Sequence, residues 1–133
     1  MTIATIRGAI KDAAKGLTEL RALAYAPDQI EGPQAIVELH GITYDFTFGR
    51  GDTYDMKLSI YVPRSNLIGA QKRLDEFSEP SGAKSIKATL EAEAVATAAG
   101  ADYIRVRSMT GPSLAQMGAA EFLMVEFELE VVA

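Results

Sequence analysis

The sequence predicts an α+β fold in which helices pack on a mainly antiparallel β-sheet. Near the start, apolar residues recur at spacings of three and four, which is the period of a helix with one buried face. Near the end they alternate singly with charged residues, as in a half-buried strand. Between these ends, strand-like stretches precede helix-like ones. The elements are therefore segregated along the chain rather than alternating as in a parallel α/β fold.

Length and composition predict a single domain over residues 1–133. The chain has 133 residues, of which 48% are hydrophobic, enough for one ordinary core. Its formal charge of −5 gives no overall attraction to nucleic acid or anionic membranes. With no cysteine and a single histidine, His40, it cannot form disulfides, thiolate metal sites or a histidine-rich zinc site. No apolar run reaches the length of a signal-peptide core or a membrane span, so we expect synthesis in the cytoplasm and no membrane partner.

The first helix is predicted from Thr2 to Lys15, with Gly16 as its stop. Its apolar stripe consists of Ile3, Ile6, Ile10, Ala13 and Leu17. A short extended segment, 20–26, follows, because Pro27 biases the residue before it away from helix. The proline-bracketed stretch 27–33 is typical of a turn-rich connection.

A β-hairpin is predicted next. Residues 34–48 are rich in β-branched and aromatic side chains and form one strand, bent at Gly41. Residues 49–52 supply the loop. From Tyr54 to Val62 apolar and polar residues alternate again, so the two strands pair antiparallel.

Two helices follow the hairpin. Pro63 ends the second strand, and Ser65 or Asn66 caps a helix. The apolar residues of that helix are Leu67, Ala70, Leu74 and Phe77. Residues 79–82 break the run. A third helix is predicted from Ala83 or Ser85 to Thr97, with Gly100 beyond its end, and its inward residues are Ile86, Leu90 and either Ala94 or Val95.

The chain closes with a strand over 103–109, a loop over 110–118 and a last strand that begins between 119 and 121 and ends at Val132. In the last strand one face carries Val125, Phe127, Leu129 and Val131, and the other carries Glu126, Glu128 and Glu130. The glutamates lie about 7 Å apart, at roughly 3.3 Å of rise per residue. Calcium or magnesium would need converging oxygens from several segments, so we interpret the row as a solvated or interface-lining face.

No residue pattern indicates catalysis, so we expect no catalytic residues, no cofactor and no metal. His40 lacks a serine or cysteine partner motif, and Arg50-Gly51-Asp52 is interpreted as a turn rather than an adhesion motif, because nothing signals secretion. Arg105 and Arg107 would pair with the glutamate row if the last two strands are neighbours; a small anion site is the alternative. The predicted loop 110–118 carries apolar residues and few charges, which is typical of a protein-contact loop.

Several local strings, in this order and in a chain of this length, resemble the small tail terminator proteins of long-tailed bacteriophages, particularly those infecting actinobacteria. The strings are Pro27-Asp28-Gln29-Ile30 followed by Pro33, Tyr44-Asp45 with Phe48-Gly49-Arg50-Gly51, Leu74-Asp75 leading to Pro80-Ser81-Gly82, Ser85-Ile86-Lys87-Ala88 with Leu90-Glu91, and Glu121-Phe122-Leu123 with Val125-Glu126-Phe127. They extend over most of the chain, and none is an active-site signature.

The resemblance implies a structural virion protein at the head-proximal end of the tail, assembled in the cytoplasm of the bacterial host. It implies a ring, usually a hexamer, that caps the tail tube, stops polymerisation of the major tail tube protein and meets the head-completion connector. Genomic DNA would pass through the lumen without specific binding. The family has no catalytic residues and no strict interface motif, so contact candidates come from this sequence alone. They are Phe48, Arg50, Asp52, Leu114, Met117, Glu126, Glu128 and Glu130.

A ring of identical subunits needs a heterologous interface that closes after a fixed rotation. We therefore expect some of the three glutamates, or Asp52 and Asp55, to face the lumen or a subunit boundary. Two alternatives stay open. One is a head-to-tail connector, such as a head-closure or adaptor ring. The other is a small α+β enzyme or ligand-binding domain, which would need a pocket with convergent polar groups.

Overall fold

The computed structural model describes residues 2–16, 21–25, 34–44, 52–63, 67–82, 84–117 and 120–132. Within these ranges it contains four helices and five strands, and it confirms the α+β class. The elements are α1 (Ile3–Lys15), β1 (Arg21–Leu23), β2 (Gln34–Thr43), β3 (Thr53–Pro63), α2 (Leu67–Ser78), α3 (Ile86–Leu90), α4 (Glu93–Ala99), β4 (Tyr103–Met117) and β5 (Ala120–Val132).

The strands form one sheet in the order β1-β2-β3-β5-β4. Every neighbouring pair is antiparallel except β1 with β2, which is parallel. The predicted pairing of β2 with β3 and the predicted contact between the last two strands are both confirmed. The register of β2 on β3 shifts between Leu39 and Gly41, where the bend was predicted. The closing strand β5 lies between β3 and β4, so both of its edges are paired.

All four helices pack on the same face of the sheet. Buried residues from each of them join one apolar core with the strand residues that face them. The alternation predicted for β5 is confirmed, since Val125, Phe127, Leu129 and Val131 are all buried in this core. Because side chains alternate along a strand, the three glutamates of β5 must then lie on the opposite face.

Helix α1 matches its predicted boundaries within one residue. The Thr2 hydroxyl accepts a hydrogen bond from the Thr5 amide and so caps the helix, and Gly16 follows its end. Ile6 and Ile10 of the predicted stripe are fully buried, whereas Ile3 remains exposed. Leu17, the last residue of that stripe, and the turn predicted over 27–33 lie outside the described residues.

Gly8 is a helix-interior glycine whose replacement we expect to stabilise the protein. Its backbone is helical, and a Cβ at this position would meet no atom within 4 Å. Glycine loses more conformational freedom than alanine when a helix forms. Gly8→Ala should therefore raise the free energy of unfolding by about 0.5 to 1 kcal/mol. Urea unfolding measures the change; an unaltered or lower stability would contradict it.

The short strand β1 is held at its end by a side chain of α1. Pairing with β2 stops at Leu23 and Ile36. Arg7 Nη1 donates hydrogen bonds to the carbonyl oxygens of the two residues that follow this last pair, Ala24 at 2.8 Å and Val37 at 2.9 Å. The guanidinium carbon also lies 4.6 Å from the centre of the Tyr25 ring, within the range of a cation–π contact. Arg7 thus replaces the backbone pairing that β1 is too short to make.

The prediction of one helix from residue 83 or 85 to Thr97 is wrong, because the segment forms two short helices. Ser85, one of the two predicted starting residues, caps the first of them, α3, by accepting a hydrogen bond from the Ala88 amide. Ala92 then adopts an extended backbone (φ −62°, ψ 138°), which no helix can continue through. The break redirects the chain, so that Leu90 before it and Ala96 after it are both buried.

The prediction of a loop over 110–118 is also wrong, because β4 continues to Met117. Its pairing with β5 runs to Met117 opposite Ala120, with register shifts between Val106 and Ser108 and between Thr110 and Ser113. Gly111 and Pro112 lie within the second shift. They belong to the predicted loop, but β4 is the outermost strand, and a proline within a bulge on an outer strand removes no ladder hydrogen bond.

Candidate interaction surface

The face of the sheet opposite the helices, called here the helix-free face, carries the predicted glutamate row. The strand register places Glu126, Glu128 and Glu130 of β5 between polar residues of the two neighbouring strands, β3 and β4. Their partners on β3 are Ser59, Lys57 and Asp55, and their partners on β4 are Thr110, Ser108 and Arg105. Antiparallel partners have Cβ atoms about 5 Å apart, so the three strands place these side chains in direct contact range.

Charged and polar contacts cross this face between strands. Lys57 Nζ lies 3.7 Å from Glu126 Oε2, and the Ser108 hydroxyl donates a 3.2 Å hydrogen bond to Glu128 Oε2. The Glu126 and Glu130 side chains retain 30% and 19% of their exposure, so these contacts are only partly solvated. The sequence prediction that the row lies on a polar face, rather than in the core, is thereby confirmed.

Arg107 connects two carboxylates that would otherwise repel each other. Asp55 and Glu130 are direct partners across β3 and β5. The Arg107 guanidinium lies 3.5 Å from Asp55 Oδ1 and 3.8 Å from Glu130 Oε2. This position depends on the register shift after Val106, because Arg107 is the unpaired residue there. The predicted pairing of arginines with the row therefore holds for Arg107.

Arg105 behaves differently from its neighbour. It is the direct partner of Glu130 in the register, yet within the described ranges no carboxylate oxygen lies within the 4.0 Å of an ion pair. Its charge is near enough to Glu91, in the turn after α3, to influence that carboxyl group. The two arginines alternate on one strand and share one prediction, but the tertiary structure gives them different surroundings.

A shallow cavity of about 240 Å³ lies on the charged part of the helix-free face. His40, Asp55, Lys57, Arg107 and Glu128 line it, together with Met56 and Leu129. Both signs of charge are present, and its two permanent cations already lie against carboxylates. In the described segments no three histidine or acidic side chains are placed to hold a metal ion together. The cavity is therefore lined mainly by polar and charged groups, several of which already contact each other.

The other end of the helix-free face is apolar, which the sequence analysis missed. Ile36, Tyr61 and Phe122 are buried there. The Tyr61 and Phe122 rings meet edge to face, with 6.4 Å between the ring centres. Burial raises the pKa of the Tyr61 hydroxyl, and the nearby Glu38 and Glu126 carboxylates raise it further. The sequence does carry an indication of this apolar group. Each of the three positions has an apolar residue where strict alternation of the strand would place a polar one.

The remaining predicted contact residues fall in three groups. Leu114 on β4 is 59% exposed, and its role as a contact residue stays a prediction. Asp52 is partly exposed just before β3, and the backbone of Met117 pairs at the end of β4. Phe48 and Arg50 lie outside the described residues, as do all residues of the range 45–51.

Glu91 is a structural carboxylate that the sequence analysis did not single out. Its Oε2 accepts a 2.9 Å hydrogen bond from the Val106 amide on the outermost strand, and Lys87 Nζ donates to both of its oxygens at 2.8 and 2.7 Å. Partial burial acts to raise the pKa of Glu91, but the hydrogen bonds from Lys87 and Val106 and the charges of Lys87 and Arg105 outweigh it, so the pKa is lowered. Glu91 ties the turn between α3 and α4 to the edge of the sheet.

Loss of the Glu91 carboxylate should destabilise the protein in a pH-dependent way. Because its pKa is lower in the folded state, its contribution is complete above the ordinary glutamate pKa and is lost as pH falls through the folded value. We expect Glu91→Ala to lower the free energy of unfolding at neutral pH by about 1 to 2 kcal/mol, allowing for partial solvent exposure. Urea unfolding at neutral and acid pH measures both effects.

A matched control for this prediction is Glu76→Ala. The Glu76 carboxylate lies 3.0 Å from Lys84 Nζ, but both side chains are half exposed. Such a pair contributes less than about 1 kcal/mol. Equal losses for the two variants, or a loss at Glu91 that does not shrink in acid, would contradict the role of the Val106 hydrogen bond.

No family model matches the sequence, and no curated protein matches it. The helices in the described parts of the chain are all too short or too polar to cross a membrane.

Proposed function

We propose that this chain is a structural subunit of a ring that caps the tail tube of a long-tailed bacteriophage, ends tail polymerisation and joins the tail to the head-completion complex. The observation that supports the proposal is the helix-free face. One side of the sheet is covered by all four helices, whereas the other presents partly exposed charges on three adjacent strands, outside the core. The family resemblance of the sequence supplies the kind of assembly.

The helix-free face has a charged part that is partly exposed and an apolar part that is buried, so the charged part offers the contact surface for a neighbouring subunit. One part carries the pairs of Lys57 with Glu126 and of Arg107 with Asp55 and Glu130. The other carries the apolar group around Tyr61 and Phe122. Ring closure requires a heterologous contact, in which two different patches meet. Charges placed across such a contact determine its register and exclude wrong partners.

The charge of the chain fits passage of DNA without specific binding. A formal charge of −5 opposes the counterion-driven attraction that nucleic-acid-binding proteins use. Glu128 is exposed, and its oxygen is hydrogen-bonded to Ser108 rather than neutralised by a cation within the described segments. A ring that presents Glu128 toward its lumen would repel the phosphate backbone. No residue is assigned a catalytic role in this proposal.

Tail-tube assembly in vitro tests the proposal. Polymerising tail-tube protein is mixed with the purified chain, tube lengths and ends are recorded by electron microscopy, and the mass of the chain is measured in solution. We expect shorter tubes with capped ends. Tubes of unchanged length with bare ends would overturn the proposal. Binding to the isolated head-side connector but not to tube ends would instead favour a head-closure or adaptor ring.

A charge-reversal pair locates the contact. Glu128→Lys changes an exposed carboxylate on the helix-free face, and Glu93→Lys changes an exposed carboxylate at the start of α4 on the helix side. If the helix-free face forms the contacts, Glu128→Lys should reduce capping or ring formation at least tenfold more than Glu93→Lys. Equal effects of the two variants would count against that face.

A further inference from the structure

A second cavity lies at the outer edge of the sheet and shares one lining residue, Arg107, with the cavity on the helix-free face. It has a volume of about 260 Å³ and opens between the end of α2, the helix α3 and the outermost strand β4. Ser78, Pro80 and Lys87 line it on the helix side, and residues 105–109 and Phe127 line it on the sheet side. We call it the edge cleft.

The edge cleft combines an apolar floor with a cationic rim. Val106, Met109 and Phe127 form the floor, and Met109 is exposed although its β5 partner Phe127 is buried. The helix layer thus stops short of Met109 and leaves apolar surface open at this edge. Apolar surface beside charged groups is typical of a site that binds another molecule.

The three cations of the rim are not equivalent. Lys87 is bound to Glu91, and Arg107 lies between Asp55 and Glu130. Only for Arg105 does the described structure place no carboxylate within ion-pair distance. Its guanidinium is therefore available to donate two parallel hydrogen bonds to a carboxylate of another molecule. The planar guanidinium of arginine is well suited to that geometry.

We propose that the edge cleft binds an acidic peptide segment of a partner protein, with a carboxylate of the segment on Arg105 and a neighbouring apolar side chain on the exposed Met109. Charge complementarity specifies the acidic character, and the apolar floor specifies a peptide rather than a nucleic acid. A phosphate backbone would gain little from Met109, and one unpaired arginine on an acidic chain is far short of the basic stripe that nucleic acids need. This inference is independent of tail capping.

Fluorescence anisotropy with a labelled peptide of alternating glutamate and valine tests the inference. The same peptide with glutamine in place of glutamate is the matched probe, and a labelled oligonucleotide is the third. We expect the glutamate peptide to bind about tenfold more tightly than the glutamine peptide, the loss typical of one charge-assisted hydrogen-bonded pair. Equal binding of the two peptides, or tighter binding of the oligonucleotide, would overturn the inference.

Three variants assign the binding to the edge cleft. Arg105→Gln should weaken binding of the glutamate peptide about tenfold, whereas Lys72→Gln, the same charge change on an exposed position of α2, should leave it unchanged. Met109→Ser should weaken both peptides, which separates apolar contact from general attraction. Arg105 and Met109 are exposed, so both variants should fold, and circular dichroism verifies this. Unchanged binding in Arg105→Gln would refute the assignment.

Discussion

Phe127→Ala should lower the free energy of unfolding by about 3 to 5 kcal/mol, the range observed when a buried aromatic residue is truncated in a core. Phe127 is 2% exposed. It lies at the middle of β5, between Leu58 of β3 and Met109 of β4. A strand paired on both edges cannot move to fill the space that the ring leaves. The cavity therefore persists, and its cost adds to the lost burial of the side chain.

The adjacent residue supplies the control. Glu128 projects to the opposite, exposed face, so Glu128→Ala should change the free energy of unfolding by less than about 1 kcal/mol. Urea unfolding measures both variants. The comparison is direct if the free energy of unfolding falls with urea concentration at the same slope in both. Similar losses for Phe127→Ala and Glu128→Ala would mean that β5 does not have one buried and one exposed face.

Among alanine substitutions at Gly8, Gly82 and Gly111, the one at Gly111 should lower the free energy of unfolding most. Gly111 has φ +115°, a conformation that side-chain-bearing residues rarely adopt. A Cβ there would also lie 2.8 Å from the carbonyl oxygen of Met124 on β5. Backbone strain and overlap with the neighbouring strand act together, so we expect a loss of about 2 to 4 kcal/mol. Thermal or urea unfolding measures it.

Gly82 separates the two causes. Its φ of +111° is almost the same, but a Cβ there would meet no atom within 4 Å. Gly82→Ala should therefore show the strain alone, about 1 to 2 kcal/mol. If Gly111→Ala costs no more than Gly82→Ala, the close approach of β4 to β5 at Met124 does not limit the residue at 111.

Local periodicity explains why much of the fold could be predicted. The stripe of Ile6 and Ile10 and the alternation of Val125 with Glu126 depend only on which face of one element is apolar, and neighbouring residues determine that. The prediction of a loop at Gly111 and Pro112 is wrong for the opposite reason. Whether such a pair ends a strand or lies in a bulge depends on the strand beside it, and here β5 continues the pairing to Met117.

For the candidate surface too, local periodicity predicted which face a residue lies on but not which residues from other strands it contacts. Alternation placed Glu126, Glu128 and Glu130 on one polar face, and the register confirmed it. The contacts of Arg107 with Asp55, 52 positions earlier, required the order of the strands and one register shift. The apolar group of Ile36, Tyr61 and Phe122 likewise comes from three strands that are distant in sequence.

The sequence by itself therefore determined the α+β class, the hairpin of β2 and β3, and the two-faced character of the closing strand, because hydrophobic burial acts on each element separately. Only the tertiary structure decided that β5 lies inside the sheet, that Glu91 binds the Val106 amide and that no carboxylate of the described chain lies within ion-pair distance of Arg105. Those outcomes depend on which strands become neighbours and on single-residue shifts of register. The free energies that select them come from contacts between residues far apart in the chain.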